Sequence, residues 1–121
     1  MKNEFDSYIA HLDTATRKYD GGWTVTATVL FDESTTIDDY ECYDENTIQS
    51  WEDDEWQYYG LVLSVSKNGI LLDDHAASLW GIEGNFPGSD NSHFSEVFDD
   101  LEDEALERGA EVLKILNQQE K

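Results

Sequence analysis

Four apolar side chains, Phe5, Tyr8, Ile9 and Leu12, fall at i, i+3, i+4 and i+7 and predict a helix over residues 4–17. Arg17 and Lys18 close it, where the helix macrodipole favours cations, and Asp20-Gly21-Gly22 breaks it. The period then changes. Trp23, Val25, Ala27, Val29 and Phe31 alternate with Thr24, Thr26, Thr28 and Leu30, which is the β-branched, period-two pattern of a strand with one buried face. Residues 32–55 lose all period, with Ile37, Tyr40, Cys42, Tyr43, Ile48 and Trp51 scattered among acids. So long a connection without structure is unusual, and a short helix is expected around Asn46 to Trp51.

Trp56 to Ser66 is the second strand, and Asn68-Gly69 after it is the strongest short signal for a type I′ hairpin turn. Ile70 to Leu72 returns as a third strand. Ala76 to Ile82 continues as strand beyond a bulge or turn at Asp73-Asp74. Gly84 to Ser89 is a loop, and Ser92 is placed to cap the last helix. Phe94, Val97, Phe98, Leu101, Ala105, Val112, Ile115 and Leu116 hold helical spacing to about residue 116, with Gly109 expected to kink or weaken it. The expected fold is α+β: a small antiparallel sheet of three to four strands with an N-terminal helix and a long C-terminal helix, in a single acidic domain over residues 1–121.

Charge changes the picture. Asp and Glu number 28 against seven Lys and Arg, for a formal charge of −21. Self-repulsion of that size works against a compact state. Yet aromatics make up 12% of the chain, unlike a disordered acidic tail. A folded body with an acidic coat points to a basic partner. It also excludes others: nucleic acids and anionic membranes attract Lys and Arg patches, and the chain has no basic cluster, so neither is expected to bind directly. Salt adaptation also acidifies surfaces, but halophile chains prefer Arg, and five of the seven bases here are Lys. No apolar run approaches the ~20 residues of a membrane span. MKNEFDSYIAHL lacks the apolar stretch and cleavage site of a secretory signal, and a lone cysteine, Cys42, allows no internal disulfide. A soluble protein of the cytoplasm is expected.

Catalytic chemistry finds little to use. His11, His75 and His93 lie in no HxH or HExxH spacing, and Cys42 has no partner for a zinc site. There is no calcium-loop pattern, no G-x-S-x-G elbow and no phosphate-binding G-x-x-x-x-G-K-[ST]. Asp39, Glu41, Asp44 and Glu45 around Cys42 disfavour a thiolate. Asp74 and Glu83 imitate part of a metal-nuclease site, but no Lys follows Glu83. Neither an enzymatic activity, nor a metal or other cofactor, nor a small-molecule ligand is expected.

The acids themselves cluster twice. Asp38, Asp39, Glu41, Asp44, Glu45, Glu52, Asp53, Asp54 and Glu55 fall in a stretch with no base from residue 35 to 66. Asp99, Asp100, Glu102, Asp103, Glu104, Glu107 and Glu111 are interrupted only by Arg108. Charge runs are usually just solvated faces, but density and pattern argue for more here. On a helix rising ~1.5 Å per residue the second run is about 20 Å long, with roughly one carboxylate per ~3 Å. Duplex DNA carries one charge per ~1.7 Å of axis. Asp99, Asp103 and Glu107 are four apart, as are Asp100 and Glu104, although like charges at that spacing destabilise a helix. Anions fixed at such intervals imitate a phosphate backbone. The candidate partner-binding residues are therefore Asp99, Asp100, Asp103, Glu104, Glu107 and Glu111 on one face, and Asp53, Asp54 and Glu55 with Asp38 and Asp39 on another. Tyr40, Tyr43, Trp51, Trp56, Tyr58 and Tyr59 interleave with the first cluster, some as core and some as anchors at a binding face.

The stretch Glu55-Trp56 through Tyr59-Gly60-Leu61-Val62-Leu63, followed by Ala77-Ser78-Leu79-Trp80-Gly81-Ile82-Glu83, resembles small acidic proteins of phages and mobile elements that share an SLWGIE-type motif. The likeness spans residues 55–108. In size and charge the chain is also similar to anti-CRISPR and antirestriction DNA mimics. The resemblance implies a phage-encoded counter-defence protein acting in the cytoplasm of the host. Its partner would be a basic nucleic-acid-binding protein or complex such as a CRISPR effector or restriction enzyme. The alternative is an immunity protein or antitoxin that neutralises a basic nuclease; a toxin gene alongside would favour that one.

Overall fold

A computed structural model describes residues 4–5, 8–39 and 42–119. Across them the chain runs β1 (Thr14–Tyr19), β2 (Trp23–Phe31), α1 (Glu45–Glu52), β3 (Gln57–Lys67), β4 (Ile70–Gly84) and α2 (His93–Gln119). The strands form one antiparallel sheet in the order β1-β2-β3-β4. The class is α+β, but among the described residues no helix precedes the strands: the first, α1, follows two of them.

The described residues of the 4–17 stretch avoid the helix for local reasons. Over Thr14 to Tyr19 the more buried Ala15, Arg17 and Tyr19 alternate with exposed Thr14, Thr16 and Lys18, a period of two. Asp20-Gly21-Gly22 does not stop a helix; it is the tight turn of a hairpin, with Gly21 and Gly22 at φ 84° and 83°, followed by pairing from Tyr19 with Trp23 to Thr14 with Thr28. Only half of the apolar stripe is used as core. Phe5 and Ile9 are buried, whereas Tyr8 and Leu12 are exposed. Arg17 and Lys18 consequently sit on a strand and not in the last turn of a helix.

The Asn68-Gly69 turn forms as predicted, with positive φ at both positions. The two expected return segments are one strand, β4. The register steps from Leu63–Ala77 to Val65–Asp73, so β4 bulges around Asp74, where a bulge or turn was expected. The fourth strand of the sheet is β1.

Val25, Ala27 and Val29 of β2 and Leu61, Leu63 and Val65 of β3 share one sheet face, and α2 packs Phe94, Phe98 and Ala105 onto it. Gly109 neither kinks nor ends α2, which runs unbroken to Gln119. It is buried at a close approach: a Cβ there would lie 2.7 Å from the Trp23 ring and 2.8 Å from Val65 Cγ2. The other sheet face, across β1 to β3, carries Thr14, Thr16, Lys18, Thr24, Thr26, Thr28, Leu30, Val62, Ser64 and Ser66, and not one carboxylate. At the end of the sheet where β3 begins, Ile37, Trp56 and Tyr58 form a second cluster with Tyr43, Ile48, Trp51 and Phe86.

In the Ser78-to-Glu83 motif only Ile82 is core; Leu79 and Trp80 are exposed, and Gly81 makes a bend. Trp80 lies flat on Gly60, where a Cβ would come within 2.1 Å of its ring. Gly81, at φ 74°, turns its amide to the Asp32 carboxylate at 2.8 Å, and Ile82 enters the core. Asp32 is buried and also accepts from the Ser34 and Thr35 amides and hydroxyls at 2.6–3.1 Å. Burial pushes its carboxyl up, but these hydrogen bonds outweigh burial and hold it below the usual range.

Candidate partner-binding surface

The core-facing positions of α2, Phe94, Phe98, Ala105 and Gly109, leave the opposite side of the helix to solvent. On that side stand Glu96, Asp99, Asp100, Asp103, Glu104, Glu107 and Glu111, all exposed. At about 100° per residue they fall within an arc of roughly 140°. They form two rows at i, i+4 spacing: Glu96-Asp100-Glu104, and Asp99-Asp103-Glu107-Glu111. Within a row, neighbours are ~6 Å apart along the axis. Glu96 was not among the predicted residues, although its spacing of four from Asp100 was there to be read.

Three members of the predicted run are engaged within the molecule. Arg17 reaches from β1 to Glu4 at 2.5 and 3.0 Å, to Asp99 at 2.8 Å and to Glu102 at 3.0 Å, with its guanidinium 4.0 Å over the Phe98 ring. The hydrogen bond from Arg17 holds the Glu4 carboxyl below its ordinary range against the effect of burial. Tyr19 donates to Glu102 at 2.6 Å, and burial first, then that bond, pushes its hydroxyl pKa up. Arg108 joins Asp73 of β4 at 2.8 Å and Glu111 at 2.7 Å. Asp99 and Glu111 thus lie on the predicted face but already have cations. Glu96, Asp100, Asp103, Glu104 and Glu107 are in no ion pair among the described residues. These five occupy about 17 Å of axis, one charge per 3–4 Å. That is close to the ~3.4 Å spacing along one strand of DNA, rather than to the duplex.

The second face is built at the end of α1. Asp44 caps its start, accepting from the Thr47 amide at 2.8 Å. Its other end is closed by the Glu55 amide donating to Ser50 O at 2.9 Å and the Asp54 amide to Trp51 O at 3.1 Å, which is the pattern of a Schellman cap. That cap puts Asp54 at φ 63°, where glycine is usual. Asp53, Asp54 and Glu55 are all exposed at the negative end of the helix dipole. Two local preferences are thus set aside to hold carboxylates there. Asp54→Gly is expected to stabilise the fold by about 0.5–1 kcal/mol, read as a Tm rise of a few degrees in thermal unfolding, and to weaken partner binding. Asp38 and Asp39 lie in a 3₁₀ turn, Ile37–Asp39, with Asp38 exposed. Tyr40 and Glu41 fall outside the described residues. Of the interleaved aromatics, Trp56, Tyr58 and Tyr59 are buried and serve packing.

The partial nuclease constellation does not assemble. Asp74 and Glu83 are nine positions apart along β4, on the order of 25 Å. Glu83 accepts instead from the Tyr43 hydroxyl. His75 meets Ser78 Oγ at 2.9 Å, and His93 meets the Glu83 carbonyl at 2.5 Å. Among the described residues no three His, Cys, Asp or Glu side chains are grouped to hold a metal ion, and no helix is long and apolar enough to cross a membrane. No family model, no curated protein and no solved structure matches the chain.

Proposed function

We propose that this chain is a non-enzymatic counter-defence inhibitor of the anti-CRISPR or antirestriction type, a nucleic-acid mimic that occupies the basic groove of a host nucleic-acid-binding complex. The observation that carries it is the outer face of α2: two i, i+4 rows of exposed carboxylates, five of them without a cation among the described residues. The acids are also unevenly placed. Residues 19–66 and 68–107 contain no Lys or Arg, while the open sheet face across β1 to β3 has no carboxylate. A surface acidified only for solubility has no reason to leave three adjacent strands without an acid.

The mechanism is competition. Lys and Arg that hold phosphates meet carboxylates at similar spacing, and the long-range field speeds encounter at low salt. The test is affinity capture from host lysate with the tagged chain, followed by elution with duplex DNA. Identified nucleic-acid-binding proteins that leave with the duplex support the proposal. Partners that stay bound whatever the duplex concentration reject it.

A further inference from the structure

A cleft of about 650 Å³ opens beside the C-terminal end of α1. Its lining includes the aromatic residues Phe31, Trp51 and Tyr58 and the acids Glu33, Glu52 and Asp54. Two stretches of chain build it: residues 31–36, from the end of β2 into the loop after it, and residues 51–58, from the end of α1 to the start of β3. Its volume lies within the ~300–1,000 Å³ typical of ligand pockets.

The cleft has no cation of its own. Among the described residues every ion pair draws on Arg17 or Arg108, and neither lines it. Residues 19–66, which supply the entire lining, contain no Lys or Arg. Phe31 is 43% exposed but its ring is stacked on His11 and Tyr59, so the aromatic surface open beside the carboxylates is that of half-buried Trp51 with the outer edge of Phe31. Aromatic faces attract cations, and carboxylates accept charge-assisted hydrogen bonds. A site offering both selects guanidinium over ammonium, because guanidinium is planar, weakly hydrated, able to stack and able to bind a carboxylate through two parallel N–H bonds.

The geometry points to this cleft as the seat of an arginine side chain presented by the basic protein partner. The identity of that partner rests on the proposed function; the chemistry of the seat does not. On α2 the carboxylates meet cations in series along an open helix face. Here one guanidinium enters between the Trp51 ring and the carboxylates and fixes the position of the partner on the array, as a buried Arg anchor does at an interface.

The test uses the full chain and three capped tripeptides, acetyl-Gly-X-Gly-amide with X as arginine, lysine or citrulline, followed by NMR at the Trp51 indole N–H. The arginine peptide is expected to give a saturable shift with Kd on the order of millimolar. The lysine peptide should bind several-fold more weakly, and the citrulline peptide not measurably. Glu52→Gln with Asp54→Asn should weaken the arginine peptide about tenfold. Asp20→Asn with Asp74→Asn, at exposed acids outside both candidate faces, changes net charge equally and should weaken it less than about twofold. Both pairs are surface substitutions, and Asn tolerates the left-handed backbone at position 54. Equal losses in the two double variants, or lysine binding as tightly as arginine, overturn the inference. If the peptide seats as expected while the intact chain captures no nucleic-acid-binding protein, the proposed function fails and the arginine seat stands; the reverse pair of results separates them the other way.

Discussion

Lysine substitution of Asp100, Asp103 and Glu107 together will weaken partner binding by roughly 100-fold, with the fold intact. Each residue is exposed on the outer face of α2 and in no ion pair among the described residues. Each reversal turns an attraction into a repulsion. Three such changes at about 1 kcal/mol each reach that factor. Stability should hold or rise. The new cation at position 103 lies four residues from Asp99, and the one at position 107 lies four from Glu111. Each replaces a like charge at that spacing, worth a few tenths of a kcal/mol per pair. Asp99 is left out because Arg17 holds it, so its substitution mixes binding with folding. Asp20→Lys with Asp74→Lys, at exposed acids outside both candidate sets, is the control and should cost only a few-fold through the general field. Circular dichroism and titration of the captured partner provide the two readouts.

Arg17→Met will destabilise the fold strongly. The guanidinium gathers Glu4, Asp99 and Glu102 and covers Phe98, joining the N-terminal segment and β1 to α2. Its side chain is 20% exposed, so the three carboxylates would be left close together and partly desolvated. The expected cost is about 2–4 kcal/mol, or a fall in Tm on the order of 10 °C for a chain of this size. The pH dependence distinguishes charge from packing. The folded-state pKa of Glu4 lies below its ordinary value, so its contribution is present above the unfolded pKa and lost as pH falls through the folded one. The gap between Arg17→Met and the parent should therefore narrow on acidification below the ordinary carboxylate range, which thermal melts across pH will show. A gap that stays constant would assign the effect to the lost cover on Phe98.

What the sequence makes legible is what depends on short-range pattern. The alternation Trp23 to Phe31, the Asn68-Gly69 turn, the short helix before Trp56 and the stripe of α2 all appear where local periodicity places them. The failure at the N-terminus has the same origin. Phe5, Tyr8, Ile9 and Leu12 match a helical stripe by spacing alone, while the stronger clue was the Thr-rich alternation leading into Asp20-Gly21-Gly22, which closes a hairpin as readily as it stops a helix. On the candidate surface, the i, i+4 rows could be read because a helix maps sequence onto space. The Arg17 clamp could not, since Arg17 and Asp99 meet across 82 positions and only tertiary packing pairs them. Nor could the arginine seat, whose rings come from residues 31, 51 and 58 and share no period.

The central claim is that a cationic cleft reads an ordered anion array. Its most direct test is the affinity of the chain for its captured partner across a sodium chloride series, with duplex DNA as competitor. The account predicts that log affinity falls steeply and linearly with log salt, and that the duplex displaces the chain from one shared site. Binding that is indifferent to salt, or a ternary complex in which duplex and chain sit on the partner together, would contradict it.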